Sequence, residues 1–377
     1  MYRPHVDAVE APGRVEDELV RQELERAEKK KRTGRARLVG FGVSAAIIGV
    51  VFAYLLPKIA NYREVWAVVQ TLSWEWIVAL VALTIVNVLS NAPPWMAALP
   101  GLGFLNALRV TSASSALSLV APGGTAVAMA TQFGMLRSWG LEGRPVGLAV
   151  ALTNIWGQLI TYGFPVIGLA ALTAEGGRNT TLDWVALIGL GIFSAIVAGF
   201  AIGLSSKRLA KKVGDRAARI VSWLKHLIHR RPVRWTGDEF VRFRAEAIDL
   251  LRRRWHWLTL SMLASQFAVF VILVGTLRAV GVKPSEVSVV EAFAAWSLIR
   301  ALGSIPITPG GFGIEELALT GALVGFGASN PEAVAVTLIY RFLTVVPTLV
   351  VGLAAAATYR LGKPKTPRRP PVSLDAR

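Results

Sequence analysis

The sequence predicts an all-α polytopic membrane protein with about six full spans and two broken helix pairs. The chain of 377 residues is 53% hydrophobic and its mean hydropathy of +0.50 is too high for a soluble domain. Several apolar runs are long enough to cross a bilayer, which takes about 18 residues or more. Two Pro-Gly-Gly turns interrupt apolar sequence at 121–124 and 306–313. These observations together predict two related membrane units.

The net charge of +17 lies in three tracts outside the apolar segments. Residues 205–254 carry 15 basic and 5 acidic groups, and the rest of the excess lies in 1–38 and 360–377. Basic tracts that flank spans remain cytoplasmic, where they set orientation or contact anionic headgroups. We therefore expect membrane phospholipids and no nucleic acid as partners, and a multi-pass cell (plasma) membrane protein with both termini cytoplasmic.

Several kinds of chemistry have no support in the sequence. The chain contains no cysteine, which excludes disulfides and thiol catalysis. His226 and His229 lack an accompanying carboxylate pattern, so we expect no metal and no cofactor. No GxxxxGK[ST] loop is present to bind ATP.

The predicted organisation begins with a charged arm and a first membrane unit. Pro57 ends the first span, Trp74 and Trp76 are interface aromatics, and Pro93 and Pro94 close the second span. A helix over 107–120 would reach only about 21 Å and would not cross a core of roughly 30 Å alone. The segments are the arm 1–36, spans 37–56 and 74–96, short helices 107–120 and 125–139 around the break at 121–124, and spans 145–172 and 183–204, which complete the unit 37–204.

The second membrane unit, 255–360, follows the basic loop 205–254. Its predicted elements are a span at 256–280, helices at 288–305 and 312–326 around the break at 306–313, a span at 331–360, and then a basic Pro-rich tail at 361–377. Glycine permits the chain to reverse, and proline ends a helix, so both turns are expected to be structural. The turn residues are Pro306, Pro309, Gly310, Gly311, Gly313, Pro122, Gly123 and Gly124.

The two units repeat. A shift of 187 residues places Pro122-Gly123-Gly124 on Pro309-Gly310-Gly311 and 145–172 on 332–359. An even number of crossings must separate the cytoplasmic tracts, so the two broken elements enter from opposite sides if both are re-entrant. This is an inverted-topology repeat, an architecture of secondary transporters. Each broken element is either a re-entrant hairpin or two thin crossings.

The stretch PITPGGFGIEE at 306–316 is the candidate site. Arg300, Glu315, Glu316 and Arg341 are ionisable groups within apolar segments, where such groups are costly and functional by default. Two readings are open: the four groups pair with one another to hold the hairpin, or the arginines bind a phosphate headgroup. One glutamate is expected to cap the following helix, and the other is a candidate for proton coupling.

The equivalent groups of the first unit are polar but neutral. Hydroxyl side chains in membrane helices usually serve packing, so these residues are expected to pack rather than bind ligand. They are Ser112, Ser114, Ser115, Ser118, Thr125, Gln132, Thr153 and Asn154.

From about residue 37 to 360 the chain resembles the lysylphosphatidylglycerol synthase transmembrane (flippase-like) family. The resemblance rests on PITPGGFGIEE and on LIYRFLTVVPTLVVGL at 338–353, where Tyr340-Arg341 matches an aromatic-Arg pair. It implies translocation of aminoacylated phosphatidylglycerol or polyprenyl-phosphate lipids. The chain departs from the family at 126–128, where Ala-Val-Ala stands in place of charged residues. With Arg300, which lies outside these motifs, the predicted headgroup-binding residues are Arg341, Glu315, Glu316, Thr308 and Tyr340.

The sequence therefore favours a lipid flippase or transporter that is not an enzyme. A phosphate-bearing headgroup, glyco- or aminoacyl-, would pass through a polar midplane cavity while the acyl chains stay in lipid. The alternative is a non-transporting membrane scaffold for a separate lipid synthetase or glycosyltransferase, which would dock on the cytoplasmic loop 205–254. A membrane lipid enzyme is disfavoured because the sequence lacks an Asp-rich metal motif and a Cys nucleophile.

Overall fold

A computed structural model describes residues 62–121, 124–175, 190–191, 193–195, 197–199, 237–304 and 311–358. Within these ranges the regular structure is α-helical, as predicted. The helices are α1 Tyr62–Gln70, α2 Trp74–Ser90, α3 Pro93–Ala98, α4 Phe104–Val120, α5 Gly124–Ser138, α6 Gly143–Glu175, α7 Gly237–Val280, α8 Val289–Gly303, α9 Ile314–Phe326 and α10 Asn330–Thr358.

Among the described residues, four stretches of helix are long and apolar enough to cross a membrane. They are Trp74–Ala98, Gly143–Glu175, Val241–Val280 and Asn330–Thr358. They correspond to four of the six predicted spans. The span at 37–56, most of that at 183–204, the arm 1–36, loop residues 205–236 and the tail 361–377 lie outside the described residues.

The predicted short helices are short. Helices α4, α5, α8 and α9 contain 17, 15, 15 and 13 residues, so each reaches about 20–26 Å, less than the hydrocarbon core of roughly 30 Å. Serine and glutamate set the start of α8, where Ser288 and Glu291 form a reciprocal capping box. Gly313, at φ 90°, reverses the chain immediately before α9.

The helices differ from the sequence prediction in three respects. The prolines expected to close the second span instead open α3, because Pro93 and Pro94 occupy first-turn positions where a missing N–H costs nothing. The helix α1 was not predicted. Helix α7 runs unbroken across the predicted boundary at 254–255, since residues 240–258 contain neither proline nor glycine.

The long helices run in alternating directions around α7. Trp156 donates to Thr259 and Gln266 donates to Thr161, so α6 runs parallel to α7. Helix α2 is antiparallel to α7, because Ser265 bonds Asn91 whereas Gly275 packs against Leu80. Helix α10 begins beside Glu286, just after α7 ends, and runs back along α7. Helices α6 and α10 therefore run in opposite directions.

Each short helix that begins a broken pair packs on a long helix of the other unit. Helix α4 packs on α10 and α8 packs on α6, and both contacts pass through a glycine. A Cβ at Gly168 would come within 2.9 Å of Ser297 Oγ, and a Cβ at Gly352 would overlap the Ser112 carbonyl oxygen. Small residues let membrane helices approach closely, so these two glycines hold the units together.

Candidate functional site

Three of the predicted site residues form a buried ion cluster between α9 and α10. Arg341 Nη1 donates to Glu315 Oε2 at 2.6 Å, and Arg341 Nε donates to Glu316 Oε1 at 2.5 Å. Glu316 is fully buried, and Glu315 and Arg341 are 9% and 8% exposed. Arg341 is the twelfth residue of α10, about 16 Å along a helix of about 43 Å. Helix α10 thus carries the guanidinium close to its centre.

Glu316 and Glu315 are held differently. Glu316 Oε2 also accepts a hydrogen bond from the Gly313 N–H at 2.6 Å, so this residue caps α9, as predicted for one of the pair. The Glu315 carboxylate lies in a slot between two glycines, where a Cβ at Gly303 or Gly311 would overlap it. Gly303 ends α8, so Glu315 reaches from α9 to both α8 and α10. Glu316 is fixed by the backbone, whereas among the described residues Glu315 is fixed by Arg341 and by the shape of the slot.

The guanidinium of Arg341 has an aromatic neighbour as well. Its Cζ lies 5.0 Å from the centroid of the Phe312 ring, within cation–π distance. Phe312 belongs to the turn between α8 and α9. The turn is thereby fixed to α10 through both Phe312 and Glu316.

Arg300, the second predicted arginine, is bound differently. It lies in the last turn of α8 and is half-buried, and its Nη2 donates to Gln266 Oε1 at 3.2 Å. Within the described ranges it makes no ion pair with a carboxylate, and its buried Nε has no hydrogen-bond partner there. Arg300 therefore retains hydrogen-bonding capacity that Arg341 has largely used.

Both arginines line one cavity of about 280 Å³, here called the arginine cavity. Helix α4, the first helix of the other broken pair, forms the opposite wall. The lining residues are Asn87, Val88, Asn91, Thr111, Ser112, Ser115, Ser118, Leu119, Val269, Arg300, Arg341, Thr344, Val345 and Thr348. The cavity thus lies between the two units rather than within the second alone.

Several hydroxyl groups of α4 line this cavity without a hydrogen-bond partner among the described residues. Most serines and threonines of the described helices donate to a carbonyl of their own helix, as Ser118 does to Ser115. Thr111, Ser112 and Ser115 make no side-chain hydrogen bond to any described residue, although Thr111 and Ser112 are 8% and 6% exposed. These hydroxyls were expected to pack, but their placement gives the cavity three available donors.

A second cavity of about 180 Å³, here called the amide cavity, adjoins the first. Its lining residues are Asn91, Pro94, Trp95, Thr111, Gln132, Thr153, Asn154, Gly157, Ile160, Met262, Ser265 and Gln266. A chain of hydrogen bonds orders one wall: Asn154 donates to Gln132 at 3.0 Å, and Gln132 donates to Ser114 at 3.2 Å. None of the described residues that line this cavity is charged.

Tyr340 has a structural setting. It is 4% exposed in the apolar core, where Trp296 Nε1 donates to its hydroxyl at 3.1 Å, and it lines neither cavity. Thr308 and the turn residues Pro306, Pro309, Gly310, Pro122 and Gly123 lie outside the described residues. Gly311 and Gly313 have φ of 69° and 90°, values that favour glycine, and Gly124 packs against the Ser118 carbonyl.

Sequence reasoning missed the residues that join the two units. These residues line the cavities but were not singled out: Asn87 of α2, Asn91 directly after α2, and Ser265 and Gln266 of α7. A signal was present, because polar residues inside spans usually face the interior of a bundle. Asn87 and Asn91 are four apart and share one face of their helix, where Asn91 donates to the Asn87 carbonyl.

The fold and this site define a polytopic helical membrane protein with a polar, arginine-containing cavity between two sets of helices. The family described as "Lysylphosphatidylglycerol synthase TM region" matches residues 38–352. The chain belongs to this family, as its motifs predicted. A search of curated proteins found no match.

Proposed function

We propose that this protein is a lipid transporter that moves a phosphate-bearing headgroup through the arginine cavity while the acyl chains stay in lipid. One observation carries the proposal. Arg300 lacks a carboxylate partner among the described residues, and it shares a cavity with the hydroxyls of Ser112 and Ser115, which have no side-chain partner there either, beside helices long enough to cross a membrane. Buried polar groups normally find partners, so this arrangement is suited to a polar ligand.

A phosphate is the ligand that this set of donors fits. A guanidinium forms bidentate hydrogen bonds to phosphate oxygens, and hydroxyls add neutral donors. Low dielectric around the cavity strengthens each of these bonds. The family supports the same substrate class, since its name concerns a lipid with a phosphate-bearing headgroup.

The charges suggest how the site would accept an anion. Glu315 and Glu316 together carry two negative charges. Arg341 balances one of these charges, and Arg300 offsets the other. A bound phosphate would leave the site negative unless a carboxylate is protonated or moves. Glu315 is the one that would yield, because Glu316 also caps α9. This makes Glu315 our candidate for coupling transport to protons.

The architecture we propose for transport is an inverted repeat with two re-entrant hairpins. The antiparallel relation of α6 to α10 and of α2 to α7 supports it, because a shift of 187 residues relates these helices. The reciprocal packing of α4 on α10 and of α8 on α6 supports it as well. Broken helices then meet at the cavity, as in other transporters of this kind.

Cysteine labelling tests this topology in a chain without native cysteine. Arg144 bonds Glu246 at 2.7 Å, which places the α5–α6 turn beside the basic end of α7. We therefore propose that Glu142→Cys is labelled from the cytoplasm and Ser329→Cys from outside, with both termini cytoplasmic in the plasma membrane. Labelling of both positions from one side would exclude the inverted repeat.

Lipid scrambling in proteoliposomes tests the function. Fluorescent phosphatidylglycerol and its lysyl derivative should equilibrate between leaflets faster than in empty liposomes. Arg300→Gln should abolish the excess rate, because it removes the charge without breaking an ion pair with a described residue. Arg109→Gln is the matched control, since Arg109 lies on α4 but lines neither cavity and bonds only to Asn106 in the described part.

One observation favours the scaffold as a second candidate. The N-terminal part of α7 continues as helix before the predicted span at 256–280 and carries Arg252, Arg253 and Arg254. It is packed against α6 through Ala247, so it presents a fixed basic surface to a lipid-modifying enzyme. Wild-type protein that is folded but scrambles no lipid would support this candidate and reject transport.

A further inference from the structure

We infer that the two cavities bind the two parts of one headgroup, a phosphate ester of a neutral polyol. The phosphate occupies the arginine cavity and the polyol hydroxyls occupy the amide cavity. This inference rests on the proposed function and specifies its substrate class. We expect the site to bind neutral sugar-like or glycerol-like headgroups more tightly than headgroups that carry an amine.

The cavities are adjacent compartments of one site. Asn91 and Thr111 line both of them. Gln266 of the amide cavity accepts the hydrogen bond of Arg300, which lines the arginine cavity, at 3.2 Å. A ligand bound to Arg300 therefore lies beside the amide groups. Volumes of about 280 and 180 Å³ are together in the range of small-molecule sites, roughly 300–1,000 Å³.

The amide cavity offers the groups that a polyol needs. The side-chain oxygen of Asn154 and the hydroxyl of Thr111 take part in no hydrogen bond with the described residues. The first accepts from an O–H and the second donates or accepts, so together they match a hydroxyl group. Trp95, 4% exposed, provides an apolar wall for the carbon skeleton.

The same cavity is unfavourable for an ammonium group. None of its lining residues carries a charge, so a lysyl amine placed there would lack a counterion. Burial of an unpaired charge is costly. Glu315 and Glu316 do not supply the counterion, because they line neither cavity and are bonded to Arg341.

The internal repeat gives the reason for this division. The shift of 187 residues places Asn154 on Arg341, so the same position in α6 and α10 holds an amide in one unit and a guanidinium in the other. Each side chain bonds the second helix of its own hairpin, Asn154 to Gln132 and Arg341 to Glu316. Equivalent positions of α6 and α10 thus each bond the second helix of their own pair, one through a neutral group and one through a charged group.

Binding to the full-length protein in detergent tests the inference without requiring transport. The probes are dioctanoyl-phosphatidylglycerol, dioctanoyl-phosphatidic acid, a short-chain lysyl-phosphatidylglycerol and free glycerol-1-phosphate, with thermal stabilisation as the readout. Phosphatidylglycerol should bind about fivefold or more tightly than phosphatidic acid, the gain expected for one or two added hydrogen bonds. It should also bind more tightly than the lysyl form. Binding of free glycerol-1-phosphate would show that the headgroup is recognised without acyl chains.

Variants assign the preference to the amide cavity. Thr111→Val removes a hydroxyl that has no partner among the described residues, so the unliganded protein should keep its melting temperature. It should weaken phosphatidylglycerol about fivefold and phosphatidic acid little. Asn154→Asp introduces a carboxylate and should favour the lysyl lipid. If Asn154→Asp misfolds, Ser115→Ala provides a second comparison, since Ser115 lines only the arginine cavity and should weaken both lipids equally.

Three results would overturn the inference: equal affinity for phosphatidic acid and phosphatidylglycerol, tightest binding of the lysyl lipid by wild type, or equal losses for both lipids in Thr111→Val. The expected preferences in a protein that scrambles nothing would support the inference and reject the proposed function. Scrambling without any headgroup preference would support the proposed function and reject the inference.

Discussion

Loss of the Arg341 guanidinium should destabilise the protein more than loss of any exposed arginine. Arg341→Met leaves the carboxylates of Glu315 and Glu316 buried without the guanidinium that is bonded to both of them. Removing one partner of a buried ion pair costs about 3–5 kcal/mol. At about 2–4 °C per kcal/mol, the melting temperature should fall by roughly 6–20 °C.

Two further variants divide this loss into charge and geometry. Arg341→Lys retains the charge but cannot direct two N–H groups of one planar fork at two carboxylates, so one charged hydrogen bond is lost, about 1.5–3 kcal/mol. Arg341→Met combined with Glu315→Gln and Glu316→Gln removes the three charges of the cluster and should recover much of the stability, because no buried carboxylate is then left without its ion-pair partner.

The assay is thermal unfolding of detergent-purified protein, followed by the fraction that stays monodisperse on heating. Arg109→Gln, which removes an arginine from the described part without breaking an ion pair, is the control and should melt close to wild type. A wild-type melting temperature for Arg341→Met would refute the reasoning. So would a charge-free triple variant less stable than Arg341→Met, because the cost would then not arise from unpaired charge.

Two glycine substitutions test the packing around the site by the same assay. Gly303→Ala places a Cβ against the Glu315 carboxylate and should lower both the melting temperature and the scrambling rate. Gly321→Ala, which has open space around it in α9, is the control and should be neutral or stabilising by up to about 1 kcal/mol. Equal behaviour of the two variants would contradict the placement of the Glu315 carboxylate between Gly303 and Gly311. In Gly352→Ala the added Cβ overlaps the backbone of α4, so the variant should be destabilised by about 1–3 kcal/mol. Gly134→Ala, whose Cβ has no neighbour within 4 Å, is the control and should keep the wild-type stability. A wild-type melting temperature for Gly352→Ala would argue against close packing of α4 on α10.

Local patterns predicted the short helices well because the signals are strong and short in range. Helix α8 was expected over 288–305 and extends over Val289–Gly303, bounded by Ser288 and by the approach to Pro306. The prediction failed at 93–94, where Pro93 and Pro94 were expected to end a span and instead start α3. Proline stops one helix and can begin the next, so sequence alone does not decide which role it takes.

For the site too, the sequence predicted which residues take part but not which of them bond to one another. Arg341, Glu315 and Glu316 were predicted as a group, and both open readings had them near one another, but the sequence could not assign which cation takes both anions. That Arg341 is bonded to both glutamates and Arg300 to neither depends on how α8, α9 and α10 cross. Pairing of this kind is set by distances of a few ångströms between segments far apart in the chain.

By itself, the sequence determined the membrane class, the family, the repeated Pro-Gly-Gly turns and the ionisable residues of the second unit, because composition, periodicity and motif are local properties. Only the tertiary structure decided that the hydroxyls of α4 and the amides of the long helices join Arg300 and Arg341 around adjoining cavities. The physical reason is that a cavity is made by helices from both units. A serine that packs and a serine that faces a cavity look the same until the opposite wall is in place.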